Sequence, residues 1–156
     1  MSTIQETRNI IPVFSGLYEK VSPLAEPLIR VAAGAFLMPH GAQKLFGAFD
    51  GGGLNGTAQF FGSIGIEPAV FMALLVGTVE FFGGLALAIG FITRPAAISI
   101  VILMGVAASQ IHWGEGFFWT NGGFEYPLFW GLVALAFVLR GGGNYSLDRK
   151  LAMNFR

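Results

Sequence analysis

Residues 30–47 read Arg30-Val-Ala-Ala-Gly-Ala-Phe-Leu-Met-Pro-His-Gly-Ala-Gln-Lys-Leu-Phe-Gly47, a run apolar enough to enter a bilayer that nevertheless carries Arg30, His40, Gln43 and Lys44. A charge at bilayer depth costs at least ~2.5 kcal/mol even on the most lenient scale. Two cations and a histidine in one span therefore require partners or a wet cavity, and the rest of the chain has to supply them.

The composition agrees with a membrane setting. Of 156 residues, 54% are hydrophobic and only 12% charged, and the mean hydropathy is +0.66, outside the range usual for soluble domains. The net charge is zero and the basic residues form no stripe, which removes the electrostatic footprint of a nucleic-acid binder. With no cysteine, the chain by itself offers no disulfide, iron–sulfur cluster, thiolate zinc site or covalent c-type haem. No set of residues is assigned to a metal. The first 23 residues hold Glu6, Arg8, Glu19 and Lys20 without a long apolar run, so no cleavable signal peptide is expected and the first span serves as its own insertion signal.

The pattern predicts an all-α, four-helix transmembrane bundle. Residues 1–23 form a cytoplasmic lead, with Ile10 to Leu17 as an interfacial helix broken by Pro12 and Gly16. The membrane domain is residues 24–140, with spans at about 24–46, 68–92, 95–111 and 126–139, and residues 141–156 form a short cytoplasmic tail. Residues 47–67 are expected to be a loop, because the glycine-rich run Asp50 to Gly56 is a poor helix former. Thr93-Arg94-Pro95 makes a tight turn, residues 114–123 form a second glycine-rich loop, and Ser146 caps an amphipathic turn or two in the tail.

Arg8, Lys20, Arg94, Arg140, Arg149, Lys150 and Arg156 fall on one side of these spans, while the two long loops carry Asp50, Glu67, Glu115 and Glu125 with only Lys44 at their margin. The positive-inside rule then places both termini in the cytoplasm, and Trp113, Trp119 and Tyr126 fall where an outer aromatic belt belongs. The two hairpins form a loose parallel repeat that pairs Arg30 with Arg94, His40 with His112, and Glu67-Pro68 with Glu125-Tyr126-Pro127, although the spacings differ.

At 100° per residue, Arg30, Gly34, Leu37, Gly41 and Lys44 share one face of the first span, with His40 beside them and Gln43 at the fringe. The two glycines allow a neighbouring helix close. A rise of ~1.5 Å per residue from the cytoplasmic ends puts Arg30 at roughly 9 Å, Glu80 at roughly 18 Å, His40 at roughly 24 Å, His112 at roughly 26 Å and Lys44 at roughly 30 Å. Helical side chains lean toward their own N-terminus, so Arg30 snorkels to the cytoplasmic face while Glu80 leans outward toward His40 and Lys44. Pro39 removes a backbone hydrogen bond and kinks the span just before His40, which suits a cavity.

These residues define a candidate site: His40, Lys44 and Glu80 as the chemical groups, and Gln43, Gln110, His112, Asn121 and Glu125 as the lining of a substrate or quinone pocket. Arg30, Gly34, Gly41 and Gly84 have structural roles. Each residue also has a plainer reading. Glu80 can be a structural acid locking two helices, Glu125 a helix-dipole cap, and Asn121 a residue that shapes its loop. His40 and His112 lie level and could ligate a b-type haem, but hydrogen-bonded interfacial histidines are the stronger reading. The 16 phenylalanines suit a quinone tail and suit plain lipid contact equally.

Arg30…Gly34…His40-Gly41…Lys44-Leu45-Phe46-Gly47, the Glu80…Gly83-Gly84…Gly90 span, and Asn121-Gly122-Gly123…Glu125-Tyr126-Pro127 resemble the DoxX/DoxD-like family of small four-helix membrane proteins. The similarity runs from about Leu24 to Leu151 and includes Ser146-Leu147-Asp148-Arg149. The resemblance implies a multi-pass protein of the bacterial cytoplasmic membrane. Members of the family include the large subunit of an archaeal thiosulfate:quinone oxidoreductase and proteins associated with redox-stress complexes. The resulting expectation is a membrane subunit of a redox system that passes electrons from a small sulfur compound to quinone, as a homodimer or with redox partners. A small-solute permease, or a membrane scaffold for soluble redox enzymes, are the alternatives.

Overall fold

The computed structural model describes residues 12–154. Ile10 and Ile11, the rest of the N-terminal lead before them, and the last two residues of the tail lie outside it. Every regular element among the described residues is helical. A 3₁₀ turn, Pro12–Phe14, leads into α1, Ser15–Val21, and a second one, Ser22–Leu24, leads into α2, Ala25–Phe46. Gly16 does not break the interfacial segment but sits inside α1, so the helical run from Ser15 to Phe46 is 32 residues long. Its length, roughly 48 Å, exceeds the ~30 Å hydrocarbon core of a bilayer. α2 continues through Pro39 and ends at Gly47, whose left-handed conformation (φ 70°) suits glycine.

The loop expected over residues 47–67 is in fact mostly helix. α3, Gly53–Ser63, begins within the glycine run and includes Gly56. Tertiary burial overrides the weak local propensity there, because Leu54, Ala58 and Phe61 pack against Ala69, Met72, Ala73 and Val76 of the following helix. That helix has three parts: α4, Ala69–Thr78, a π-helical turn, Val79–Gly83, and α5, Gly84–Ile89. Next comes α6, Thr93–Val106, which passes into a second π turn, Ala107–Ile111. The last two helices are α7, Glu125–Arg140, and α8, Leu147–Asn154.

Among the described residues, three helical runs are long and apolar enough to cross a membrane: Ser15–Phe46, Ala69–Ile89 and Thr93–Ile111. α7, with 16 residues, is roughly 24 Å long, shorter than the core it would have to cross. The four helices pack around one core that contains Ala33 and Leu37 of α2, Leu87 of α5, Ala97, Ile100 and Met104 of α6, and Ala134 and Phe137 of α7.

Glycine sets the distance between α2 and its neighbour. A Cβ at Gly34 would run into the Gly84 carbonyl oxygen and the Ala88 backbone, and one at Gly41 would run into the Phe81 amide and the Gly77 carbonyl. The two backbones touch at two heights, which is the close approach expected of small residues in membrane helices. Gly77 completes this contact by receiving the Leu45 side chain.

Candidate functional site

The α2–α4/α5 contact carries an ion pair, on the side to which the expected lean of the Glu80 side chain points. Lys44 Nζ lies 2.7 Å from Glu80 Oε2. The Lys44 side chain is 26% exposed and that of Glu80 9%, so the pair opens to the surface on the lysine side only. Lys44 comes from the last turn of α2 and Glu80 from the π turn that divides α4 from α5. Such turns carry one extra residue per hydrogen-bonded ring and recur at functional sites. Gly41 lets the Glu80 turn press against α2, bringing the carboxylate within reach of a lysine one turn further on. Phe46 and Phe81 wall this region edge to face, with ring centroids 5.3 Å apart.

His40 lies one turn before Lys44, is exposed, and offers its carbonyl oxygen to Lys44 Nζ at 3.5 Å. Gln43 is taken up elsewhere: its Nε2 donates to the Phe49 carbonyl at 3.2 Å and braces the turn after α2.

The remaining predicted pocket residues form a separate group. His112 Nδ1 is 2.6 Å from the Gly122 carbonyl, and the Glu125 carboxylate accepts from the Trp119 amide at 3.1 Å. Both therefore tie down the 113–124 loop, along with the Phe124 amide bonded to the Gly116 carbonyl and Trp113 stacked on Phe124. Asn121 is exposed and closes a 3₁₀ turn through its amide, and Gln110 is an exposed residue of the second π turn. Among the described residues, no hydrogen bond or ion pair joins His112, Asn121, Glu125 or Gln110 to Lys44 or Glu80. The single outer cluster expected from residue heights is thus two clusters. Rise along a helix gives depth but not the angle at which helices face one another.

Arg30 also departs from expectation. It does not snorkel: it is only 2% exposed, and its guanidinium donates to the carbonyls of Gly142 and, at 2.8 Å, Tyr145. The tail folds back over the bundle instead of hanging free, and Arg30 holds it there. Asp148 makes the second fastening. Its carboxylate accepts from the Ile92 amide at 2.6 Å, the Thr93 amide at 2.8 Å and the Thr93 hydroxyl at 2.6 Å, capping α6 from 55 residues away. Ile92 has a left-handed backbone (φ 41°), unfavourable for a β-branched residue, and Asp148 binds its amide in that conformation. Gly90 lies between the two fastenings, since a Cβ there would meet Arg30 and Ser146. Ser146 caps α8 by accepting from the Arg149 amide at 3.2 Å. Burial by itself would raise the Asp148 pKa, but the Thr93 and Ile92 hydrogen bonds and the charge of Arg30 outweigh it and hold the carboxyl below its ordinary value. Sequence reasoning missed Asp148, Thr93 and Gly90 as a unit. The one available signal was the family resemblance, which includes both Gly90 and the Ser146-Leu147-Asp148-Arg149 ending.

Apolar helices of spanning length, glycine-mediated backbone contact and a half-buried Lys–Glu pair define a helical, multi-pass membrane protein with one ionic site between its first spans. Within that class the chain belongs to the DoxX family, whose model matches residues 27–113. It is 31% identical over 121 residues to a Bacillus subtilis protein named "Putative oxidoreductase CatD", covering 78% of this chain and 82% of that one. An uncharacterized Haemophilus influenzae protein is 34% identical over 62% of this chain and 79% of its own length. An uncharacterized membrane protein of Mycobacterium tuberculosis is 29% identical across 94% of this chain and 93% of its own. No solved structure matches the chain significantly.

Proposed function

We propose that this protein is the membrane subunit of a quinone-linked redox system in a bacterial cytoplasmic membrane, and that Lys44 and Glu80, with His40 beside them, form its reaction site. The observation that carries this reading is the ion pair itself: a 2.7 Å contact that is buried at the carboxylate and open at the ammonium. Lys44 has one donor left over from Glu80 and the His40 carbonyl for a quinone carbonyl or an anionic reductant, and Glu80 is placed to relay protons. The chemistry balances with a sulfur reductant. Two thiols joined as a disulfide release two electrons and two protons, whereas two thiosulfates joined as tetrathionate release two electrons only and the two protons come from water; in either case a quinone takes up two electrons and two protons to become a quinol. The name of the Bacillus subtilis relative favours the same class of chemistry.

In this reading α7 is a fourth span, shortened by local thinning of the bilayer or by Glu125 and Arg140 at its ends, and both termini face the cytoplasm. The protein works as a homodimer or with redox partners. The scaffold alternative draws less on the geometry, because residues 141–154 are held against the bundle by Arg30 and Asp148 rather than presented to a partner.

The test is reduction of a short-tailed quinone by membranes supplied with thiosulfate or a small thiol. His40→Ala and Glu80→Gln abolish the activity while the protein still inserts and folds. Unchanged turnover in both variants would sink the reading, and uptake of a labelled solute into proteoliposomes without redox change would favour a carrier.

A further inference from the structure

The end of the bundle that carries the tail has a cleft of about 610 Å³, lined by Arg94, Arg140 and Arg149 and floored by the backbone of Gly141 to Gly143. Arg94 is held in place by the carbonyls at the end of α7, its Nε donating to Val138 at 3.2 Å and its Nη2 to Leu139 at 3.4 Å. Arg140 shares one edge with Glu26 at 2.9 Å and is otherwise 70% exposed. The carboxylate at the cleft wall, Asp148, is already satisfied by Ile92 and Thr93. Three guanidiniums against Glu26 and Asp148 leave the cleft with positive charge in excess, and a guanidinium matches a phosphate in planar, bidentate fashion.

Arg140 also heads a second depression. An apolar groove of about 520 Å³ runs between α2 and α7, from Glu26 and Arg140 past Ile29, Ala136 and Leu132 to Phe129. Phe129, Leu132, Val133, Ala136, Phe137 and Arg140 recur at helical spacing, so the groove follows one face of α7. From Arg140 to Phe129 is roughly 16 Å of helix, about half the hydrocarbon core and therefore the depth of one leaflet. A basic cleft at the end of the spans and a leaflet-deep apolar groove meet at one arginine. An inorganic anion would use only the cleft, and a neutral lipid only the groove.

We propose that the Arg94–Arg140–Arg149 cleft and the adjoining α2–α7 groove together bind one anionic phospholipid, its phosphate on the guanidiniums and one acyl chain along the groove. The site lies at the opposite end of the bundle from the proposed reaction centre and stands whether or not that centre is redox-active. Gly141 and Gly143 of the turn that floors the cleft have positive φ, and a Cβ at Gly143 would strike the Glu26 carboxylate, so the turn is glycine for its own backbone and packing. The turn is also packed on its other side, where a Cβ at Gly142 would meet Thr93 and Ser146.

The full chain in mild detergent, stripped of lipid, tests this. Melting temperature and lipid retention by native mass spectrometry are followed with added phosphatidylglycerol, phosphatidylcholine or inorganic phosphate. Phosphatidylglycerol raises the melting temperature and stays bound; the other two do neither. Arg149→Gln, whose side chain makes none of the tail-locking contacts, weakens retention about fivefold, as expected for one interfacial cation. Ala136→Trp, on the exposed membrane face, blocks the groove and abolishes retention while folding is kept. Equal effects of phosphatidylcholine would mean unselective lipid contact, and an equal effect of inorganic phosphate a free-anion site. Either result, or wild-type retention in both variants, overturns the proposal.

Discussion

Lys44 and Glu80 meet at 2.7 Å although they lie on different helices 36 positions apart, and they do so because Gly41, one turn below the lysine, has no side chain to hold the helices apart. Removing one partner of such a pair leaves the other unmatched in a low-dielectric setting. Lys44→Met is therefore expected to destabilise the fold by roughly 3–5 kcal/mol, whereas Lys44→Met combined with Glu80→Leu recovers most of that loss. Thermal unfolding of the three proteins in one detergent gives the coupling directly. Additive losses in the double variant would show that the pair contributes nothing as a pair.

The glycine contacts make a sharper claim about packing. Gly34→Ala drives a methyl into the Gly84 carbonyl and is expected to cost about 1–3 kcal/mol. Gly105→Ala, where nothing lies within 4 Å, is neutral or slightly stabilising through helix propensity. Melting temperatures of the two variants should move in opposite directions or differ by several degrees, and equal shifts would contradict the packing.

Arg30 holds the tail through two carbonyls. Arg30→Leu removes both hydrogen bonds at a cost of roughly 1.5–3 kcal/mol each, the range for bonds to a charged group. Local release of the tail should follow before global unfolding. Limited trypsin digestion at Arg149 and Lys150 is the readout: the variant is cut rapidly while its spans stay protected.

Asp148 introduces a pH dependence with a defined sign. Its folded pKa is depressed, so the stabilisation it provides is complete above the unfolded value of about 3.9 and is lost as pH falls through the lower folded value. Release of α8 from the bundle should appear at acid pH and be insensitive to pH near neutrality. Asp148→Asn removes this acid dependence. Amide exchange at Ile92 and Thr93, measured against pH, follows it directly.

Because the chain has no cysteine, single cysteines report topology without background. A cysteine at Asn144 should react with an impermeant maleimide only after the membrane is opened, and one at Asn121 in intact cells. Labelling of both from the same side would mean that α7 does not cross.

All-helical character, residence in a membrane and the α2 face that carries Lys44 could be read directly from residue order. Hydropathy and the 100° helical period act along one segment, and both are local properties of the chain. The α3 helix could not be read that way, because Gly53 to Gly56 has poor helix propensity and the segment is helical through the burial of Ala58 and Phe61 on α4. The division of the expected site into a Lys44–Glu80 pair and a His112–Glu125 loop network was equally hidden, since it depends on which helix faces which. The fastening of the tail by Arg30 and Asp148 joins residues more than 50 positions apart through backbone carbonyls and amides. Backbone partners have no residue identity to search for. Composition and periodicity alone thus determined that this is a helical membrane protein with charge on its first span; only tertiary packing decided what each charge pairs with, because pairing depends on distances between segments that no local pattern encodes.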